Sequence, residues 1–163
     1  MSNKKKSIYI ETTIVSYLVS RQSSDIVSRA RQELTKRFWN NCMVKYDAYI
    51  SQYVLTEAQK GDSSQSEKRI KALESFQLLE LNDEIESLAK FYFKVLRIPE
   101  KSKLDAFHLA VACMHKMDYV VTWNFHHLSN GWTRKQLDVV NRDRNIATPI
   151  ICSPEEISEA ENV

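Results

Sequence analysis

Glycine is nearly missing from this chain of 163 residues: there are two, Gly61 and Gly131, and they lie far apart. Average usage of ~7% would supply about a dozen. The G-x-G-x-x-G dinucleotide loop and the P-loop need clustered glycines so that backbone N–H groups can approach phosphate, and both are excluded. The G-x-S-x-G elbow of α/β-hydrolases falls with them. Cysteine is scarce too. Cys42, Cys113 and Cys152 are odd in number, widely spaced and form no C-x-x-C, which removes zinc ribbons and thioredoxin-type motifs and suits a reducing, cytoplasmic compartment. The four histidines contain no H-E-x-x-H, so a zinc hydrolase is not indicated. No apolar run reaches the ~20 residues of a membrane helix; the longest, near Phe107–Met114, is interrupted by His108. The basic start lacks the apolar region of a signal peptide. A strong charge is absent as well: 23 Lys and Arg against 21 Asp and Glu give a formal +2, which neither demands nor forbids a nucleic-acid partner.

What is present is an ordinary globular composition, 43% apolar and 27% charged, long enough for one domain spanning residues 1–163. Ser7–Ile10 reads as a short buried strand, interrupted by Glu11, Thr12 and Thr13. Ile14 to Leu18 reads as a short helix, and a helix start at Ser23-Ser24-Asp25 leads into a helix over Ile26–Asn40. Ala48–Ser51 reads as a second strand, followed by a helix over Gln52–Lys60, a turn at Gly61, and further helix through Ile70 and Leu73. Phe76–Leu81 is a third apolar run, and Asn82 caps a helix that Pro99 ends. Another helix begins at Ser102, Tyr119–Thr122 is a strand, and Trp132–Arg144 is a polar, basic helix. Pro149–Cys152 is the last strand, and Ser153-Pro154-Glu155-Glu156 carries a cap, a first-turn proline and a reciprocal glutamate. Strands and helices in alternation imply an α/β fold with a short, mainly parallel sheet covered on both faces.

In such sheets ligands bind beyond the carboxyl ends of the strands. Glu11 follows the first strand, Glu57 lies two turns into the helix after the second, and Thr122 and Asn124 follow the fourth. Asp105 stands in the first turn of the helix leading back to the fourth strand, so it returns to the same edge. Carboxylates gathered this way either raise one another's pKa or are neutralised by a hard cation, and Mg²⁺ and Mn²⁺ prefer oxygen ligands. Such an ion can activate water and steady an in-line phosphoryl displacement.

These residues fall into four segments that resemble PIN-domain proteins. They are Tyr9-Ile10-Glu11-Thr12-Thr13-Ile14-Val15-Ser16-Tyr17-Leu18, Ser51-Gln52-Tyr53-Val54-Leu55-Thr56-Glu57, Lys103-Leu104-Asp105-Ala106-Phe107-His108-Leu109-Ala110 and Thr122-Trp123-Asn124-Phe125-His126-His127-Leu128. In order, they cover nearly the whole chain and look most like the VapC-type toxins of bacterial toxin–antitoxin pairs. The resemblance implies a three-layer α/β/α sandwich. It also implies an Mg²⁺- or Mn²⁺-dependent endoribonuclease that hydrolyses RNA phosphodiester bonds, acts as a homodimer in the cytoplasm and is silenced by a cognate antitoxin. Glu11, Glu57, Asp105 and Asn124 take the four catalytic and metal positions, with Thr12 or Thr122 positioning a water. Two departures stand out: Glu11 where the family usually has Asp, and Asn124 where Asp is frequent. The added methylene moves a carboxylate by roughly 1.3–1.5 Å, and an amide adds no charge. Weaker metal binding than at an all-Asp site is expected, with Mn²⁺ favoured.

Blander accounts compete at each position. Asp105 stands three residues after Ser102 in capping-box spacing, Glu57 suits a solvated helix face, and Asn124 suits a helix N-cap. His126 and His127 lie near the proposed edge, where one can touch RNA or protonate a leaving group. Lys103, Arg134 and Lys135 are candidates for the RNA backbone. Trp39, Trp123 and Trp132 read as core or interface, Trp123 being the one that can stack on a base. The Arg37-Phe38-Trp39 corner is a candidate dimer or antitoxin surface. The altered acidic positions keep a rival reading open, a non-catalytic RNA- or protein-binding PIN domain.

Overall fold

The computed structural model describes residues 4–160, leaving the first three and last three residues outside the description. The chain runs β1 (Ser7–Ile10), α1 (Thr12–Val19), α2 (Ile26–Arg37), β2 (Asp47–Ile50), α3 (Gln52–Ala58), α4 (Ser63–Leu73), β3 (Gln77–Leu78), α5 (Asp83–Val95), α6 (Lys103–Met114), β4 (Tyr119–Val121), α7 (Gly131–Asp143), β5 (Ile150–Cys152) and α8 (Pro154–Ala160). The five strands pair parallel in the order β3-β2-β1-β4-β5. The α/β sandwich inferred from alternation is the observed architecture.

The strand order reverses between β1 and β4, where Ile8, Tyr9 and Ile10 pair with Tyr119, Val120 and Val121. Connections run one way from β1 through β2 to β3, then return to β4 and continue to β5. With right-handed crossovers this places α1 to α4 on one face and α5 to α7 on the other. The packing agrees: α1 lies on α2, α3 and α4, α8 joins α2, and α5 lies along α6. The reversal leaves a crevice at the carboxyl ends of β1 and β4.

The helix starts are set by local side chains. Asp25, Asp62, Asn82 and Asn130 each accept a hydrogen bond from a backbone N–H three residues on, at 2.8–2.9 Å. Ser153 and Glu156 form the reciprocal capping box, with Ser153 N–H donating to Glu156 Oε2 at 2.8 Å and Glu156 N–H to Ser153 Oγ at 3.1 Å. Gly61 occupies the left-handed region at φ +85° and turns the chain from α3 into α4.

The structure departs from expectation in two elements. The helix expected to reach Asn40 ends at Arg37 and widens into a π turn over Phe38–Cys42. That turn swings Phe38 into complete burial and sets Trp39 edge-to-face on Phe76 at 5.4 Å, so this corner's aromatics face inward. The apolar run Phe76–Leu81 contributes only two strand residues, both exposed on the sheet edge. Its inward anchor is Leu79, whose N–H donates to Ile50 O at 2.8 Å. Among the described residues, Cys42, Cys113 and Cys152 are buried and form no disulfide. No helix among them is long and apolar enough to cross a membrane.

Candidate active site

Glu11 ends β1 at the reversal and caps α1. A carboxylate that is 2% exposed needs donors, and its Oε2 takes three. Thr122 Oγ1 donates at 2.7 Å, Thr13 Oγ1 at 2.5 Å and Thr13 N–H at 3.1 Å. Glu11 N–H donates to Val121 O at 3.1 Å, so β4 fixes the backbone as well. All of these donors are neutral and all reach Oε2; among the described residues Oε1 has no hydrogen-bond partner.

Glu57, on α3, is held differently. Thr12 Oγ1 donates to its Oε1 at 2.9 Å, and His108 Nε2 bonds the same oxygen. His108 is wholly buried on α6, and its Nδ1 lies 2.6 Å from the Tyr9 hydroxyl, which sits 2.8 Å from Ser51 Oγ. Burial pushes the Glu57 carboxyl up, but the His108 bond and charge, with Thr12, outweigh it and leave the group below its ordinary value. Burial pushes His108 down, and Glu57 and Glu11 raise it above its ordinary value. The carboxylate is therefore ionised and Nε2–H is the donor.

Asp105 is buried in the first turn of α6. The capping account of this residue does not hold: Ser102 makes no side-chain cap, and its N–H donates to Pro99 O at 2.8 Å. The charge of His108 and the nearby side-chain amide of Asn124 favour the ionised form of Asp105. Burial, with the charges of Glu11 and Glu57, wins and lifts its pKa to about 6. Asn124 Oδ1 accepts from His127 N–H at 3.0 Å, so Asn124 caps a tight turn after β4 while its amide serves Asp105.

Glu11, Glu57, Asp105 and Asn124 line one open cleft of about 370 Å³, together with Lys60, Lys101 and Lys103 on its rim. Thr12 and Thr122 support it from behind through Glu57 and Glu11. Arg134 and Lys135 are not in its lining: Arg134 reaches Ile151 O and pairs with Glu156 at 3.3 Å. Trp123 is buried and donates Nε1–H to Thr35 Oγ1 at 2.7 Å, so it stacks on protein. Sequence reasoning missed Thr13 and His108. The signal for His108 was its position three residues after Asp105, which puts both on one face of α6.

The donor set suits a divalent cation. Three carboxylates share the cleft, His108 is the one imidazole bonded to any of them among the described residues, and burial with the charges of Glu11 and Glu57 drives Asp105 up to about 6. Glu11 and Glu57 bring one oxygen each within 4.8 Å of one another and of a nitrogen of His108, whose two ring nitrogens are engaged by Glu57 and Tyr9; Asp105 stands outside that close group.

No protein-family profile matches the sequence, and no curated protein matches it. Solved structures match the fold. The Sarcin-Ricin loop cleaving toxin VapC20 of Mycobacterium tuberculosis superposes with a TM-score of 0.58 at 17% identity, over 74% of this chain and 92% of that one. FitAcB of Neisseria gonorrhoeae gives 0.55 at 13% identity, over 90% and 97%. VapBC2 of Rickettsia felis, bound to a DNA fragment from its promoter, gives 0.51 at 15%, over 90% and 98%. The architecture is the PIN-type fold of VapC-like toxins.

Proposed function

We propose that this protein is a metal-dependent endoribonuclease, the toxin of a toxin–antitoxin pair, acting on cytoplasmic RNA. The observation that carries this reading is the cleft itself. Glu11, Glu57 and Asp105 converge there from three distant segments, and Asp105 rises to about 6 because burial and its neighbours leave it short of positive charge. Perturbed carboxyls cluster at functional clefts, and a buried group facing two other carboxylates is one that a cation would relieve.

Glu11, Glu57 and Asp105 would hold the ion, with Asn124 beside them. When bound, Mg²⁺ or Mn²⁺ supplies Lewis acidity and positive charge for displacement at a phosphodiester. The chain's own groups prepare the rest. Thr13 and Thr122 fix Glu11 through Oε2 and leave Oε1 without a donor among the described residues, so that it would be free to take the ion. His108 and Thr12 keep Glu57 ionised and still. Asn124 orients Asp105. Lys60, Lys101 and Lys103 on the rim draw in the RNA backbone. The fold likeness to FitAcB and VapBC2 supports an antitoxin partner, and a homodimer accords with apolar side chains left outside, such as Ile150 on the edge strand β5 and Val139 on α7.

The test compares wild type with Asp105→Asn on structured and single-stranded RNA, with Mg²⁺, Mn²⁺ or EDTA. Cleavage is expected with either ion and none in EDTA. The variant loses on the order of 100-fold or more, since even groups that merely orient metal ligands are worth 10–100-fold. Equal cleavage by both proteins sinks the assignment. RNA binding without cleavage under every condition assigns the fold to the non-catalytic class.

A further inference from the structure

Next to the carboxylate cleft lies a second depression of about 420 Å³, and the two share His126 and His127 as a common wall. Its lining includes Arg97, Phe125, Asn130 and Trp132. Trp132 is 46% exposed and Phe125 39%. Tryptophan is highly buried on average, so an open indole is the informative case. Among the described residues no aromatic or cationic group packs on the Trp132 ring, whereas Phe125 is backed by Arg31 at 5.0 Å and by Trp123 at 6.0 Å. Arg97, at φ +53°, is exposed and forms no ion pair among the described residues. Asn130 is already committed: its amide donates to Phe125 O and His126 O at 3.0–3.1 Å and its oxygen caps α7. The turn that carries Phe125 and His126 is thereby tied to the start of α7, which carries Trp132.

We infer that this depression is a nucleobase subsite: an unpaired base of the RNA strand stacks on Trp132, with Arg97 against a flanking phosphate, while the neighbouring phosphodiester lies in the carboxylate cleft. This rests on the ribonuclease reading above. Stacking on an aromatic face suits any base, and Arg supplies both charge and a planar contact. Continuity through His126 and His127 favours RNA over a second copy of this chain, because a strand lying in the cleft can run on over this wall. The arrangement selects single-stranded or looped RNA, in which a base can be turned out.

The experiment uses the full chain in EDTA and a labelled, mixed-sequence 20-nucleotide single-stranded RNA, read by fluorescence anisotropy. Trp132→Ala is expected to weaken binding about tenfold, the scale of one base–aromatic stack, and Trp132→Phe to recover most of it. Replacing nucleotides one at a time by an abasic unit should reveal a position whose loss weakens wild type but not Trp132→Ala. Equal affinity of Trp132→Ala and wild type overturns the subsite, as does the absence of any such position. A change of oligomeric state in Trp132→Ala with RNA affinity kept assigns this face to a second copy and also overturns it. Wild type that neither binds nor cleaves RNA overturns the ribonuclease reading itself, and the subsite with it.

Discussion

Glu57 and Asp105 line the same cleft and carry the same group, yet their carboxyls are driven in opposite directions. Both are desolvated. Glu57 meets an imidazole and a hydroxyl that both donate to one of its oxygens. Asp105 meets a neutral amide and the charges of two other carboxylates, and with burial these outweigh the charge of His108. Burial alone therefore does not set the sign; the charge state of the nearest donor does. Half of the cleft is a finished structural pair, and the other half keeps a carboxyl that burial and its neighbours hold up at about 6.

Removing His108 should break this contrast most strongly. His108→Ala strips a buried partner from both Glu57 and the Tyr9 hydroxyl. Loss of one member of a buried pair costs about 3–5 kcal/mol, and the partial exposure of Glu57 brings the expected loss to about 2–4 kcal/mol. Urea unfolding at pH 7 measures it, and a loss under about 1 kcal/mol would mean the pair is ornamental.

Asp105→Asn should act the other way. The folded carboxyl lies at about 6 against an ordinary 3.8, so the folded chain binds the extra proton between those values. Stability from this group is then highest at low pH and falls as pH rises through that window. Each pH unit is 1.36 kcal/mol, so the shift of about two units gives at most about 3 kcal/mol, and solvent relaxation trims it to about 1–2. In EDTA at pH 7 the variant should be more stable than wild type by that amount, with the gap closing towards pH 4. Mn²⁺ should raise the melting temperature of wild type more than that of the variant. Glu57 carries the opposite sign: its contribution is present above its unfolded value and is lost as pH falls through the lower folded one. An Asp105→Asn chain less stable than wild type at pH 7 without metal would undo the comparison.

The smallest effect belongs to the Glu11 corner, where three neutral donors share one oxygen. Thr122→Val removes one of them and should destabilise by about 1 kcal/mol, measurable as a modest fall in urea midpoint. A loss as large as that of His108→Ala would place Thr122, not the imidazole, at the centre of the site.

Much of this was legible in local chemistry. β1 has the expected bounds because Glu11 breaks a run of β-branched and aromatic residues and then caps α1. The cap at Asn82 and the box at Ser153 were readable because each needs only neighbours in the chain. Glu57 and Asp105 could be sent to one edge by counting crossovers. The rest depends on contacts distant in sequence. Nothing local says that the imidazole after Asp105 reaches a glutamate on α3, or that Trp123 turns into the core while Trp132 stays outside. Arg134 lies on the basic helix as expected, but β5 and α8 engage it.

The reversal of strand order between β1 and β4 also bears on how the chain comes into being. Thr122 and Glu11, which bond each other in the cleft, are separated by 111 positions. β4 cannot pair with β1 until the chain has passed Val121, and parallel pairings of this separation form late because loop closure precedes any gain from contact. During synthesis Asp105 thus joins Glu11 and Glu57 only after β4 has docked beside β1. The cleft closes only once β4 and the turn after it are in place, so an unfinished chain carries Glu11, Glu57 and Asp105 without the cleft.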